Sequence, residues 1–202
     1  MSKEISYHES VLLTNGTEWV LPETIYDVTI YMVGGGGGSL YVIGGPSSTY
    51  IPGTIGTNTT LDITEVRGGD SGRRFEAAVT GGDEGNYDKS TSRFIDGRDG
   101  GLSVPFIGEY AIPAEYEASN VLLNKGYGVG GGTVNNGKGG NGGGIMIKIS
   151  EINGSYNGHH SKFTYSIGNG GTSNGRTSGK AGAILIEYVI KRTEPSFYAI
   201  RR

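Results

Sequence analysis

Apolar and polar residues alternate with a period of two along much of the chain, the pattern of half-buried strands. Ile25 to Val33 is the longest such run, and Leu61-Asp62-Ile63, Phe75 to Val79, Ile145 to Ile149, Phe163 to Ile167 and Ala183 to Ile190 follow. Thr17-Glu18-Trp19-Val20-Leu21 reads as a further strand, which Pro22 ends. Helical periodicity is nearly absent; the one candidate helix, Pro113 to Ser119, is too short to be stable alone. Between these runs stand seven Asn-Gly steps, beginning at Asn15, Asn136, Asn141, Asn153, Asn157, Asn169 and Asn174. Asparagine and glycine tolerate positive φ, so the steps predict tight hairpins or irregular glycine loops. The expected fold is all-β, an antiparallel β-sandwich-like domain with glycine-rich loops.

Composition changes that picture. Glycine accounts for 39 of the 202 residues, and hydrophobic residues make up only 35%. The usual apolar share is about 45–50%, so side-chain burial is thin and backbone contacts must hold more of the structure. The run Gly34, Gly35, Gly36, Gly37, Gly38 follows directly on the longest strand, which suits a backbone packed where no side chain fits. A second stretch has its own period: Gly128, Gly131, Gly137, Gly140 and Gly143 fall on every third position, broken only at Val134. Three residues per turn is the period of a polyproline-II-type helix. Packed polyglycine-II helices are one reading of the stretch, and a flexible glycine loop is the other.

Charge and cysteine content remove several function classes. The formal net charge is -3, with 17 basic and 20 acidic residues mixed along the chain, so no nucleic-acid partner is expected. With no cysteine there is no disulfide scaffold, thiolate metal site or cysteine nucleophile. No apolar run approaches the ~18 residues of a membrane span, and the first residues have no apolar signal core. Synthesis in a cytoplasm without membrane insertion is the expectation.

Enzyme motifs fail on context. Gly126-Tyr127-Gly128-Val129-Gly130-Gly131 fits a dinucleotide fingerprint, but no helix is predicted after it to hold a pyrophosphate. Gly175 to Lys180 lacks the Ser/Thr and the helix of a phosphate loop. Gly69-Asp70-Ser71-Gly72 spells a serine-protease tetrapeptide, yet the only histidine before it is His8. His159-His160 sit in an Asn-Gly-rich loop, and the acids of Asp83 to Asp88 and Asp96 to Asp99 read as solvated. Glu115 and Glu117 are not marked as the carboxylate pair of a depolymerase. No catalytic residue, metal or cofactor is expected.

The order of the segments carries a pattern of its own. A turn leads to Thr17-Glu18-Trp19-Val20-Leu21-Pro22, a strand, and Val33 with its five glycines; Thr80-Gly81-Gly82 and Lys138 to Gly144 come later. The chain closes with Tyr165-Ser166-Ile167-Gly168-Asn169-Gly170-Gly171 and Gly179-Lys180-Ala181-Gly182-Ala183-Ile184-Leu185-Ile186-Glu187-Tyr188. Over residues 14–190 this resembles the glycine-rich domain of bacteriophage tail-fibre and receptor-binding proteins. The resemblance implies pairing of the opening and closing strands. Residues 1–13 then form an N-terminal segment for attachment, and residues 191–202 a C-terminal tail.

The resemblance further implies an adhesin in the virion, made in the host cytoplasm and acting at the host cell surface, whose partners are a bacterial surface protein or glycan and other tail-fibre proteins. A purely structural fibre or tail-tip subunit is the alternative, and a homotrimer is compatible with either. Contact surface is expected in the glycine-poor segments Pro46 to Thr60, Glu84 to Asp96 and Leu102 to Asn120. These hold Tyr50, Tyr87, Phe94, Phe106, Tyr110 and Tyr116. Such rings give large contact area with little rotamer entropy to lose; the bland reading is that they pack on the glycine layers.

Overall fold

The computed structural model describes residues 2–45, 47–64, 74–102, 106–107, 114–132, 137–156, 159–160 and 162–195. The chain is all-β, and every strand pairing in it is antiparallel. Strands β1 (Ser2–Leu13), β2 (Glu18–Val20) and β3 (Ile25–Val33) come first, and two short hairpin strands follow, β4 (Tyr41–Ile43) and β5 (Thr49–Ile51). Then come β6 (Thr59–Thr64) and β7 (Arg74–Val79), a second small hairpin of β8 (Asn86–Asp88) and β9 (Arg93–Ile95), and β10 (Phe106–Ile107) and β11 (Ala114–Ala118). One helical turn, α1 (Val121–Asn124), precedes β12 (Gly144–Ile152), the β13 (Ser155–Tyr156) and β14 (His159–His160) pair, β15 (Lys162–Ser166) and β16 (Ala183–Pro195).

Two five-stranded sheets face each other. One has the order β1-β16-β3-β12-β11 and the other β10-β7-β6-β15-β2. Period-two alternation sends Ile30, Met32, Ile145, Ile147, Ile149, Ile184 and Ile186 inward from the first sheet, where they meet Leu61, Ala77, Val79 and Phe163 of the second. Trp19 stacks on Phe163 with ring centres 5.4 Å apart and closes one edge of this core. Positions of opposite parity, Val33, Ala183 and Leu185, face outward and are covered by Leu122 of α1. At Asp27 (φ 48°) the strand bulges against β16: Thr29 pairs with Glu187 and Tyr26 with Val189, so Asp27 and Val28 together stand opposite the single Tyr188. Both Ile25 and Val28 are thereby buried although three residues apart.

The opening and closing strands do pair, Val33 against Ala183 through Thr29 against Glu187. The N-terminal residues continue the same sheet, since β1 pairs with β16 from Leu13 opposite Ile184 to Ser2 opposite Pro195. The candidate helix at Pro113 to Ser119 is a correction: Ala114–Ala118 is strand β11 on β12. Its Ala-Glu-Tyr-Glu-Ala pattern has period two, so Tyr116 turns toward the core while Glu115 and Glu117 stay exposed.

Beyond the sandwich the glycine segments form a second body. Gly34, Gly37 and Leu40 donate their N–H groups to Gly143, Gly140 and Gly137; Gly35 and Gly38 donate to Thr57 and Thr54; Gly36 and Ser39 donate to Lys180 and Thr177. Successive residues thus point to three different neighbours, and every third returns to the same one, which is a threefold polyproline-II-type helix. Its carbonyls are used in the same way: Gly82 and Gly85 donate to Gly35 and Gly38, Gly131 to Gly37, and Gly171 to Gly36. Residues 34–40 therefore run down the axis of a ring of six segments.

Around the ring, 137–143 binds 80–85 (Gly140 N–H to Asp83), 80–85 binds 54–57 (Gly56 N–H to Gly82), and 54–57 binds 168–172 (Thr57 N–H to Asn169). The circle continues from 168–172 to 177–182 (Gly182 N–H to Gly168), to 128–131 (Lys180 N–H to Val129) and back to 137–143 (Gly142 N–H to Gly128). An eighth segment, 97–101, lies outside 80–85 and 137–143.

Position in the ring explains where glycine is required. A Cβ on Gly34, Gly35, Gly37 or Gly38 would come within 2.7 Å of backbone at Thr80, Asn169, Asp83 or Thr172 respectively, and one on Gly36 would meet Val129. From Gly34 to Gly38 the axial helix has neighbours on all three faces, so glycine is needed at each of these positions. Outer segments have one open face, which takes a side chain at every third residue: Thr54 and Thr57, Lys138 and Asn141, Asn169 and Thr172, Thr177 and Lys180. The period-three run from Gly128 to Gly143 is two segments, antiparallel to each other, with Gly139 bonded to Gly131 and Gly142 to Gly128. Val134 falls between them, outside the described residues.

Several Asn-Gly steps depart from the hairpin expectation for the same reason. Asn15-Gly16 and Asn174-Gly175 are turns with φ of 93° and 86° at glycine. Asn141-Gly142 and Asn169-Gly170 lie inside straight lattice segments, where Asn141 Oδ1 accepts the Gly130 N–H. Outward backbone donors elsewhere on the lattice are met likewise: Gly81 by Asn58, Asn169 by Thr57, Thr172 by Thr54, Lys138 by Asp96 and Asn141 by Asp99. Asp96 and Asp99 are exposed, as expected, and each also accepts one of these backbone donors, while the Asp83 carboxylate holds Arg98 at 2.9 Å.

Candidate functional site

The lattice decides which loops share a place. Segments 34–40, 80–85, 128–131 and 168–172 all leave the sandwich, while 54–57, 97–101, 137–143 and 177–182 all return to it. At ~3.1 Å per residue, the seven residues 34–40 carry the chain about 20 Å away from the sheets. Three connections among the described residues therefore gather at one distal end, hairpin β4–β5, hairpin β8–β9 and the turn 173–176, with Gly132 beside them.

Three of the six candidate aromatic residues meet there. Tyr50 of β5 and Tyr87 of β8 stack with ring centres 3.7 Å apart and planes 8° from parallel. Phe94 of β9 stands edge-on to both, 6.2 Å from Tyr50 and 5.5 Å from Tyr87. The two hairpins touch through these rings although 37 positions separate the stacked tyrosines. The Tyr87 hydroxyl beside it, and then desolvation, raise the Tyr50 phenol above its ordinary value. Phe94 is 40% exposed, and Ile43 and Ile95 at the ends of the same hairpins are similarly open to solvent. Apolar surface collected at one end of a molecule marks a contact surface.

The turn of the second hairpin is held by Asp88, whose carboxylate accepts the Ser90 N–H and hydroxyl and the Thr91 hydroxyl at 2.7–2.8 Å. These bonds, the Ser90 hydroxyl foremost, lower its pKa below the ordinary carboxylate value. Next to the hairpins is a cleft of about 260 Å³, lined by Ser39, Leu40, Val42, Phe94, Gly132, Arg176 and Thr177. Sequence reading missed this cleft, because its lining comes from four separated stretches.

The other candidates are placed elsewhere. Phe106 lies in β10, opposite Glu76 of β7. Tyr116 lies in β11, where its ring packs on the sandwich core and burial pushes its phenol up to about 12. Tyr110 is outside the described residues, as is Gly69 to Gly72. His159 and His160 form β14 against Ser155–Tyr156. Among the described residues no three histidine, aspartate or glutamate side chains converge as a metal site requires, and no helix is long and apolar enough to cross a membrane. Comparison with protein-family models, characterised proteins and solved structures gives no match, so the functional reading rests on geometry and on the sequence pattern.

Proposed function

We propose that the protein is a receptor-binding adhesin of a bacteriophage tail fibre, attaching the virion to a protein or glycan on the bacterial surface. The observation that supports it most is the joining of two hairpins through Tyr50, Tyr87 and Phe94 at the distal end of a closed glycine lattice. Loops alone would be mobile; a bundle in which nearly every axial N–H and C=O is bonded to a neighbour holds the two hairpins and the turn 173–176 in fixed relation. Pre-ordered aromatic contacts lose little entropy on binding. The sandwich, at the other end, is the side that would join the rest of the fibre.

The test separates this reading from that of a purely structural fibre subunit. Virions carrying Tyr50→Ser, Tyr87→Ser or Phe94→Ser are assayed for incorporation of the protein and for adsorption to host cells. Incorporation at parental levels with adsorption reduced about tenfold or more per anchor is expected, as for hot-spot residues costing over ~1.4 kcal/mol. Unchanged adsorption by all three folded variants would mean that the tip does not contact the host.

A further inference from the structure

The distal cleft has a definite chemical character. Its floor is the emerging end of the axial helix: Ser39 and Leu40 are each 2% exposed. Ser39 Oγ donates to the Thr177 carbonyl at 3.0 Å and lies 3.4 Å from Ser173 Oγ, which fixes the floor to the turn 173–176. Gly132 (φ 107°) keeps one wall low, since a Cβ there would come 2.8 Å from Ser39 Cβ. Leu40, Val42 and the Phe94 ring are apolar, and Arg176 and Thr177 share the lining with them.

No carboxylate lines the cleft. Arg98 and Arg192 bind Asp83 and Glu23, whereas among the described residues Arg176 has no ion-pair partner. The lining therefore combines a cation without an ion-pair partner with apolar side chains.

We propose that this cleft binds one acidic sugar residue of a surface polysaccharide, a pyranose bearing a carboxylate; the proposal rests on the adhesin reading above. A guanidinium meets a carboxylate through two parallel N–H bonds. The Phe94 ring with Leu40 and Val42 offers an apolar surface to the C–H face of the pyranose, and the Thr177 hydroxyl is placed for a ring hydroxyl. A peptide strand would need an open sheet edge or a groove with repeated pockets. This is a single depression, smaller than the ~300–1,000 Å³ typical of sites for drug-sized ligands, which suits one sugar ring.

The test is saturation-transfer NMR on the purified full chain with methyl glucuronide, and methyl glucoside as the neutral control. Binding of the glucuronide about tenfold or more tighter is expected, the factor that a charge-assisted hydrogen-bonded pair supplies. Arg176→Gln brings the glucuronide down to the level of the glucoside, Phe94→Ser weakens both sugars, and Arg192→Gln at the far end of the molecule changes neither. Equal response to the two sugars, or a glucuronide signal indifferent to Arg176→Gln, overturns the assignment. A parallel adsorption assay tells the two proposals apart. If tip substitutions abolish adsorption while the sugars show no charge preference, the acidic-sugar assignment fails and the adhesin reading stands; if adsorption is also unaffected, both fail.

Discussion

Replacing Gly37 with alanine puts the whole lattice at stake through one methyl group. An alanine Cβ there would stand 2.7 Å from the Asp83 carbonyl carbon and closer still to its oxygen, whereas carbon–carbon contacts are optimal at about 3.5–4.0 Å. Segment 80–85 must therefore move outward by about 1 Å. It is tied on its far side by Asp83 N–H to Arg98 and by Gly140 N–H to Asp83, at 2.9 and 2.8 Å, so the shift strains both bonds. Overpacking costs about 1–3 kcal/mol, and two weakened hydrogen bonds add about 1 kcal/mol each.

Alanine also restricts the unfolded chain, which returns about 0.4–1 kcal/mol. The net loss is about 2–5 kcal/mol, and at 2–4 °C per kcal/mol for a chain of this size the melting temperature falls by about 4–18 °C. Gly44 is the control. Its Cβ position is open and its φ is not in the left-handed region, so Gly44→Ala should leave stability unchanged or raise it by about 0.4–1 kcal/mol. Urea and thermal unfolding followed by circular dichroism measure both. Equal melting temperatures for Gly37→Ala and Gly44→Ala would refute a packed axial helix, since only a loose glycine loop is indifferent to the difference.

Two further predictions concern the ends of the lattice. Thr59, fully buried, donates its hydroxyl to the Val33 carbonyl at 2.7 Å and accepts the Gly168 N–H at 2.9 Å, joining three segments where sandwich and lattice meet. Thr59→Val keeps the shape and removes both bonds, so it should cost about 1–3 kcal/mol in urea unfolding; a variant as stable as the parent would show that the joint does not depend on this hydroxyl. At the tip, the folded-state pKa of Asp88 is depressed, so its stabilisation of the β8–β9 turn is present above its ordinary value of 3.8 and lost as pH falls through the lower folded value. Amide exchange at Ser90 and Thr91 should accelerate only below that pH, and Asp88→Asn should remove the dependence. An Asp88 that titrates at or above 3.8 by NMR contradicts the turn geometry.

By itself the sequence determined the sheets. Ile25–Val33 and the strands at Ile145, Phe163 and Ala183 announce themselves because one-sided burial requires strict alternation, and that requirement is local. It misled at Pro113 to Ser119, where an alternating Ala-Glu-Tyr-Glu-Ala offers a helix and an edge strand equally, and only β12 alongside settles the matter. The glycine runs were visible but their arrangement was not. A run of five at Gly34 to Gly38 states that every face of the segment is crowded, without naming the neighbours, and the every-third run to Gly143 conceals a reversal because the period is the same in both directions.

What only the tertiary structure decided is which loops become one surface. Tyr50, Tyr87 and Phe94 come together because hydrogen bonds between segments as distant as 34–40 and 177–180 fix where each loop emerges, and Tyr116 turns into the core because β11 pairs with β12. Glycine has no side chain with which to encode a partner. The register of such a lattice is set by the strands that feed it, and the tip inherits its geometry from the sandwich.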